Sequence, residues 1–179
     1  MNTADLTIIL GSPASGKTTL ARRLSSDLNL AYLGKDDVKE ALFEVLGAGD
    51  RDWSRRLSEA SFAAIARLAR AQLAAGRSCI LEGNWRAAHA SILAGVLADH
   101  GARAAQIWCR AEPREIVRRF TSRTRQPGHL DGLLAQGELD AAAQAPPLFM
   151  DLSGPHWVYC SDSPTAYAEL LQRLKSWYM

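Results

Sequence analysis

The sequence predicts a three-layer α/β fold, a parallel sheet of five strands covered by helices on both faces, with ligands held at the carboxyl ends of the strands. Three observations predict it. Short apolar runs alternate with helix-periodic stretches, and a glycine-rich turn links the first run to the first helix. The 179 residues, 47% hydrophobic, are enough for one well-buried core and short for two.

Thr7 to Leu10 is the first apolar run, and the helix after the glycine turn carries Leu20, Leu24 and Leu28 at i, i+4 and i+8. Leu30 to Leu33 reads as the second strand, followed by a helix near Asp37. A long helix from about Asp52 to Ala75 places Trp53, Leu57, Phe62, Ile65, Leu68 and Leu73 along a broad apolar face, and Gly76 stands where it should stop. Cys79 to Leu81 is the third strand, a helix begins near Arg86 and stops at Gly101, and Ala104 to Cys109 is the fourth strand. A helix starts at Pro113, Trp157 to Cys160 is the fifth strand, and the last helix runs from Pro164 to Tyr178. Gln126 to Gly154 breaks this rhythm with four glycines and three prolines. It is expected to be an excursion or lid, at about residues 118–154 and with at most a short helix near Leu130 to Ala135, inside a single domain spanning 1–179.

Formal charge is only +2, so no overall field recruits nucleic acid or an anionic membrane, and any anion site must be built locally. Cys79, Cys109 and Cys160 lack metal-ligand spacing and lie in or beside strand-like runs, which reads as reduced core thiols in a cytoplasmic protein. Met1 to Leu10 includes Asp5 and lacks both a basic start and a long apolar run, so neither a signal peptide nor a membrane span is expected. Of 21 basic residues only Lys17, Lys35, Lys39 and Lys175 are lysines, and three of these fall in or near the segments below, where a compact ammonium suits the chemistry better than a guanidinium fork.

Gly11-Ser12-Pro13-Ala14-Ser15-Gly16-Lys17-Thr18, followed by Thr19, matches G-x-x-x-x-G-K-[ST] between a strand and a helix. Glycines there let successive N–H groups turn inward, and the helix start adds its positive end, so the loop is a nest for phosphate. Lys17 would bridge the β- and γ-oxygens of ATP and Thr18 would ligate Mg²⁺. The absence of an Asn-Lys-x-Asp motif argues against a GTPase.

Two carboxylate-bearing segments emerge on the same sheet edge: Gly34-Lys35-Asp36-Asp37-Val38-Lys39 after strand two, and Glu82-Gly83-Asn84-Trp85 after strand three. Asp36 is the candidate base for an acceptor hydroxyl, with Asp37 the alternative; an N-cap role for one of the pair is the competing reading. Lys39, one turn on, would contact acceptor or phosphate, or face solvent. Glu82 ends an apolar run as a Mg²⁺-holding carboxylate would, while Asn84 and Trp85 offer an amide and an aromatic wall to an acceptor, or else form an ordinary strand-to-helix turn. Arg119 and Arg123 share a helix face four residues apart and repel unless an anion lies between them; a solvated basic face is the alternative.

The order GSPASGKTT, KDDVK, ILEGNW, RRFTSRTR resembles the small P-loop kinases that include chloramphenicol phosphotransferase, zeta toxins and the kinase domain of phage polynucleotide kinase, over roughly residues 6 to 130. The resemblance implies a sheet order of 2-3-1-4-5, Asp36 as the acceptor-activating aspartate, Lys39 where the polynucleotide kinase has arginine, and Arg119 and Arg123 as lid arginines. It also implies that Ser161 to Thr165 borders the adenine. His129 and Asp131 resemble a lid signature and are assigned no chemistry. The expected activity is ATP- and Mg²⁺-dependent transfer of the γ-phosphoryl group to a hydroxyl of a small molecule. The alternatives are a 5'-hydroxyl polynucleotide kinase, disfavoured by the near-neutral charge, and a nucleotide-binding switch or regulatory ATPase in which only water accepts phosphate.

Overall fold

The fold is seen in a computed structural model that describes residues 4–122 and 136–179. Five strands, β1 (Leu6–Leu10), β2 (Ala31–Gly34), β3 (Cys79–Glu82), β4 (Ala104–Arg110) and β5 (His156–Cys160), form one sheet in the order β2-β3-β1-β4-β5. Every pairing is parallel, with Ile9 opposite both Glu82 and Ile107. Because the chain reverses direction across the sheet on either side of β1, the carboxyl ends of β1 and β3 open a crevice at the switch point.

The strands are legible as apolar runs because both faces are covered, and side chains alternate between two cores. Leu6, Ile8 and Leu10 of β1 pack with Phe62, Ile65 and Ala69 of helix α3 (Arg51–Ala74) and Leu93 of α4 (Ala90–Ala98). Ile9, between them, points the other way toward Leu20 and Leu24 of α1 (Lys17–Leu28) and Leu170 and Leu174 of α7 (Ala166–Tyr178). Cys79 and Cys109 are fully buried in these two cores, as core thiols. A smaller cluster of Ala111, Ile116 and Leu139 joins α5 (Pro113–Ser122) to α6 (Gln136–Gln144).

Three boundaries differ from expectation. Helix α2 (Lys35–Leu46) starts at Lys35, directly from β2, with Gly34 at its N-cap and no side-chain cap, so Asp36 and Asp37 lie in its first turn and neither is the cap. The helix expected near Arg86 begins as a single 3₁₀ turn, Ala87–His89, before α4. The excursion contains α6, formed by the helix-favouring Glu138 to Gln144 run, whereas the short helix expected near Leu130 to Ala135 lies outside the described residues. The far end of the excursion is tied to the sheet: the Gln106 amide donates to the Met150 carbonyl at 2.9 Å and accepts from its N–H at 2.8 Å.

Candidate active site

The turn between β1 and α1 is built on backbone conformations that few residues tolerate. Gly11 has φ +137°, Gly16 +95°, and Ala14 adopts the left-handed region at +60°. A Cβ on Gly11 would collide with the Cys109 carbonyl oxygen of β4. The loop is anchored from below by the Cys109 thiol, which donates to the Ser15 carbonyl at 3.0 Å. The Ser15 hydroxyl is wholly buried without a partner. At the loop's mouth the Lys17 ammonium donates to the Ser12 carbonyl at 2.7 Å.

A cleft of about 730 Å³ opens above this loop. Pro13, Ala14, Gly16, Lys17, Thr18 and Thr19 form one wall. The start of α2 supplies Lys35, Asp36 and Lys39, and the exit of β3 supplies Glu82, Gly83 and Asn84. The parallel sheet therefore brings together the phosphate-type loop and both carboxylates, from segments far apart in sequence. Gly11 and Ser15 pack against Cys109 of β4, and with Ser12 they are not among the residues that line the cleft. The other large cavity, about 770 Å³ beside Leu30, Arg77 and Tyr178, lies at the opposite end of the strands.

Glu82 is 3% exposed. Its Oε2 accepts hydrogen bonds from Thr18 Oγ1 and from the Tyr32 hydroxyl, each at 3.2 Å. Burial raises its carboxyl above the ordinary range; the Lys17 ammonium opposes that shift and Asp36 adds to it. A hydroxyl beside an acidic oxygen is a donor set suited to a hard dication, so Thr18 and Glu82 could hold Mg²⁺ directly or through water. Asp36 presents Oδ1 to the Lys35 ammonium at 3.0 Å, and Lys35 is 5% exposed. Lys39, equally buried, donates to Ser54 Oγ at 2.9 Å.

Trp85 departs from expectation. It is 3% exposed and packs against Phe62 and His89, with ring centroids at 4.7 and 5.7 Å, so it belongs to the core beneath the cleft and offers no wall to an acceptor. Arg119 lines the cleft, held by Glu115 at 2.7 Å, Ser161 Oγ at 3.0 Å and Asp162 at 2.8 Å. Arg123, His129 and Asp131 lie outside the described residues. Sequence reading missed Leu20, Arg23, Ser58, Tyr159 and Tyr167, which line the cleft with Ser161, and gave no role to Lys35. The clue for Lys35 was its place as the first residue beyond a strand that ends at the ligand edge; the others come from helix interiors and the last strand, where nothing local marks them.

Among the described residues no helix is long and apolar enough to cross a membrane, and no cluster of three or more His, Cys, Asp or Glu side chains could hold a metal.

Residues 6–139 match the family AAA_33, described as an AAA domain. No curated protein matches the chain. A presumed kinase from Chloroflexus aurantiacus J-10-fl is 31% identical, with a TM-score of 0.88 over 97% of this chain and 98% of that one. The Mycobacterium tuberculosis APS kinase, solved with AMPPNP and APS, is 18% identical with a TM-score of 0.59 over 98% of each chain. Kti12 of Chaetomium thermophilum, solved with ADP-AlF3, is 15% identical with a TM-score of 0.66 over 96% and 97% of the two chains. The last two share the fold, which is that of the P-loop kinases.

Proposed function

The chain belongs to the AAA_33 family, and from that premise we propose that it is an ATP- and Mg²⁺-dependent kinase of the cytoplasm that phosphorylates a hydroxyl of a small-molecule acceptor. The observation that carries this reading is the opening of the phosphate-type loop and the Asp36 carboxylate onto one cleft. The quoted motifs favour the branch that includes chloramphenicol phosphotransferase, zeta toxins and polynucleotide kinase.

The residues fit a nucleotide. A loop with left-handed positions at Ala14 and Gly16 and a helix start at Lys17 suit an anion cradle of backbone amides. Lys17 would exchange its bond to the Ser12 carbonyl for the terminal phosphates. Thr18 and Glu82 would hold Mg²⁺, which, when bound, neutralises charge on the transferring phosphoryl. Asp36 accepts the proton as the acceptor O–H breaks; the acceptor oxygen bonds to the γ-phosphorus, and the bond from that phosphorus to the β–γ bridging oxygen breaks, releasing ADP. Lys35 donates to Oδ1 of Asp36 at 3.0 Å and so fixes the position of the carboxylate. Arg119, with Arg123, would stabilise the charge on the transferring phosphoryl group.

Incubation with γ-labelled ATP, Mg²⁺ and a panel of sugars, sugar acids, nucleosides, aromatic alcohols and 5'-hydroxyl oligonucleotides tests the proposal. Label on an organic acceptor is expected. Label recovered only as inorganic phosphate would replace the kinase with an ATPase or switch.

A further inference from the structure

The two halves of the cleft differ in chemistry, and the sheet order separates them. On the β4–β5 side of the loop stand the rings of Tyr159 and Tyr167, with Arg119. On the β2–β3 side the described lining is Lys35, Asp36, Lys39, Ser58, Glu82 and Asn84, together with the backbone of Gly83. Leu20 of α1 also lines the cleft, but the side chains named for the β2–β3 half are all polar or charged. Trp85, at the exit of β3, is withdrawn into the core against Phe62 and His89.

From this asymmetry, and resting on the kinase reading above, we infer that the acceptor is a compact, hydroxyl-rich, non-aromatic molecule bound by hydrogen bonds in the β2–β3 half of the cleft. An apolar or aromatic acceptor would strip water from these polar groups and return no hydrogen bonds, whereas vicinal hydroxyls both donate and accept. Ser58 supplies a hydroxyl and Asn84 an amide, each able to do both, while carboxylates accept and ammonium groups donate. Asp36 and Lys39 stand three residues apart on α2, so one helical turn, about 5 Å, separates the position of the reacting hydroxyl from the next polar group. A molecule of sugar size or smaller spans that interval.

The test measures kcat/KM for a set of polyols, sugars and sugar acids against aromatic alcohols and nucleosides of similar size. Hydroxyl-rich, non-aromatic acceptors are expected to lead by about 10²-fold or more, because a site built to hydrogen-bond hydroxyls rejects analogues that lack them. A nucleoside or aromatic alcohol as the best acceptor would overturn the inference and leave the kinase reading intact. Phosphate released to water alone, with every acceptor, overturns both. Asn84→Ala, at an exposed position that folding tolerates, should raise KM for the best acceptor about tenfold and leave KM for ATP unchanged. Ser58→Ala gives a second reading from α3. Unchanged acceptor KM in both variants would place the acceptor elsewhere.

Discussion

Asp36 and Lys35 form the unit on which the proposed chemistry turns at the scale of single residues. A carboxylate that must take a proton from a substrate needs one oxygen held still, and the Lys35 ammonium, buried at 5% exposure, holds Oδ1 at 3.0 Å. Asp36→Asn keeps the shape and removes the base. Its turnover should fall by roughly 10²- to 10⁴-fold, with the dissociation constant for ATP unchanged. Lys35→Met should keep the base and release it, lowering kcat about tenfold with the same unchanged nucleotide affinity. Kinetics alongside equilibrium ATP binding separate these outcomes, and a normal kcat in Asp36→Asn would remove Asp36 from the mechanism. Neighbouring Gly34 has its own constraint: a Cβ there would collide with the Tyr32 hydroxyl and the Asp37 carboxylate. Tyr32 needs that space to reach Glu82, so the glycine before α2 serves the carboxylate at the end of β3.

Among the elements, β4 shows how similar steric demands serve different ends. Gly11 passes over its last turn-side carbonyl, at Cys109, and Gly154 passes over its first, at Ala104; both have φ near +136° and no room for a Cβ. Gly11 lies at the ligand edge and Gly154 at the opposite edge of the sheet. Gly11→Ala and Gly154→Ala should each cost about 2 kcal/mol or more, a drop of roughly 5 °C or more in melting temperature for a chain this size. Only Gly11→Ala should also weaken ATP binding, by at least about tenfold, because its strain falls on the loop. Equal losses of ATP affinity in the two variants would mean that the loop is not the binding element. Sequence reading found Gly11 because a motif surrounds it, and assigned Gly154 only to a broken-rhythm segment, since a close approach to Ala104 is set by a strand fifty residues earlier. Helix α6 escaped for the opposite reason: its helix formers sit in a stretch whose glycines and prolines dominated the local pattern. The five strands were legible because two-sided burial writes each as an unbroken apolar run.

In the whole molecule, what the sequence hides is which side chains long-range packing withdraws from the surface. Trp85, a few residues beyond a strand that ends at the ligand edge, read as an acceptor wall on residue type, yet α3 covers it, and His89 after it, with Phe62. His89 is 5% exposed, tilted against Phe62 with centroids 4.1 Å apart, and its Nδ1 accepts the Arg86 N–H at 3.1 Å. Burial pushes its pKa below the ordinary 6.5, Glu59 on α3 at 3.6 Å opposes the shift, and Arg86 and Lys35 reinforce it. The sign follows from proton counting. Between the lowered folded value and about 6.5 the unfolded chain binds a proton that the folded protein does not, so stability falls as pH drops through that window and is complete above it. Urea unfolding at pH 8 and pH 5.5 should therefore show, relative to a variant without the ring, a larger loss of midpoint at the acid end, with no change in the slope against denaturant. Glu82, whose buried carboxyl is raised and acts in the opposite direction, and the other histidines are common to both proteins in a comparison with His89→Gln. That variant should lose stability at pH 8, where the packed neutral ring is missed, and show a smaller difference between the two pH values. If His89→Gln keeps the full pH dependence, the buried ring is not its source.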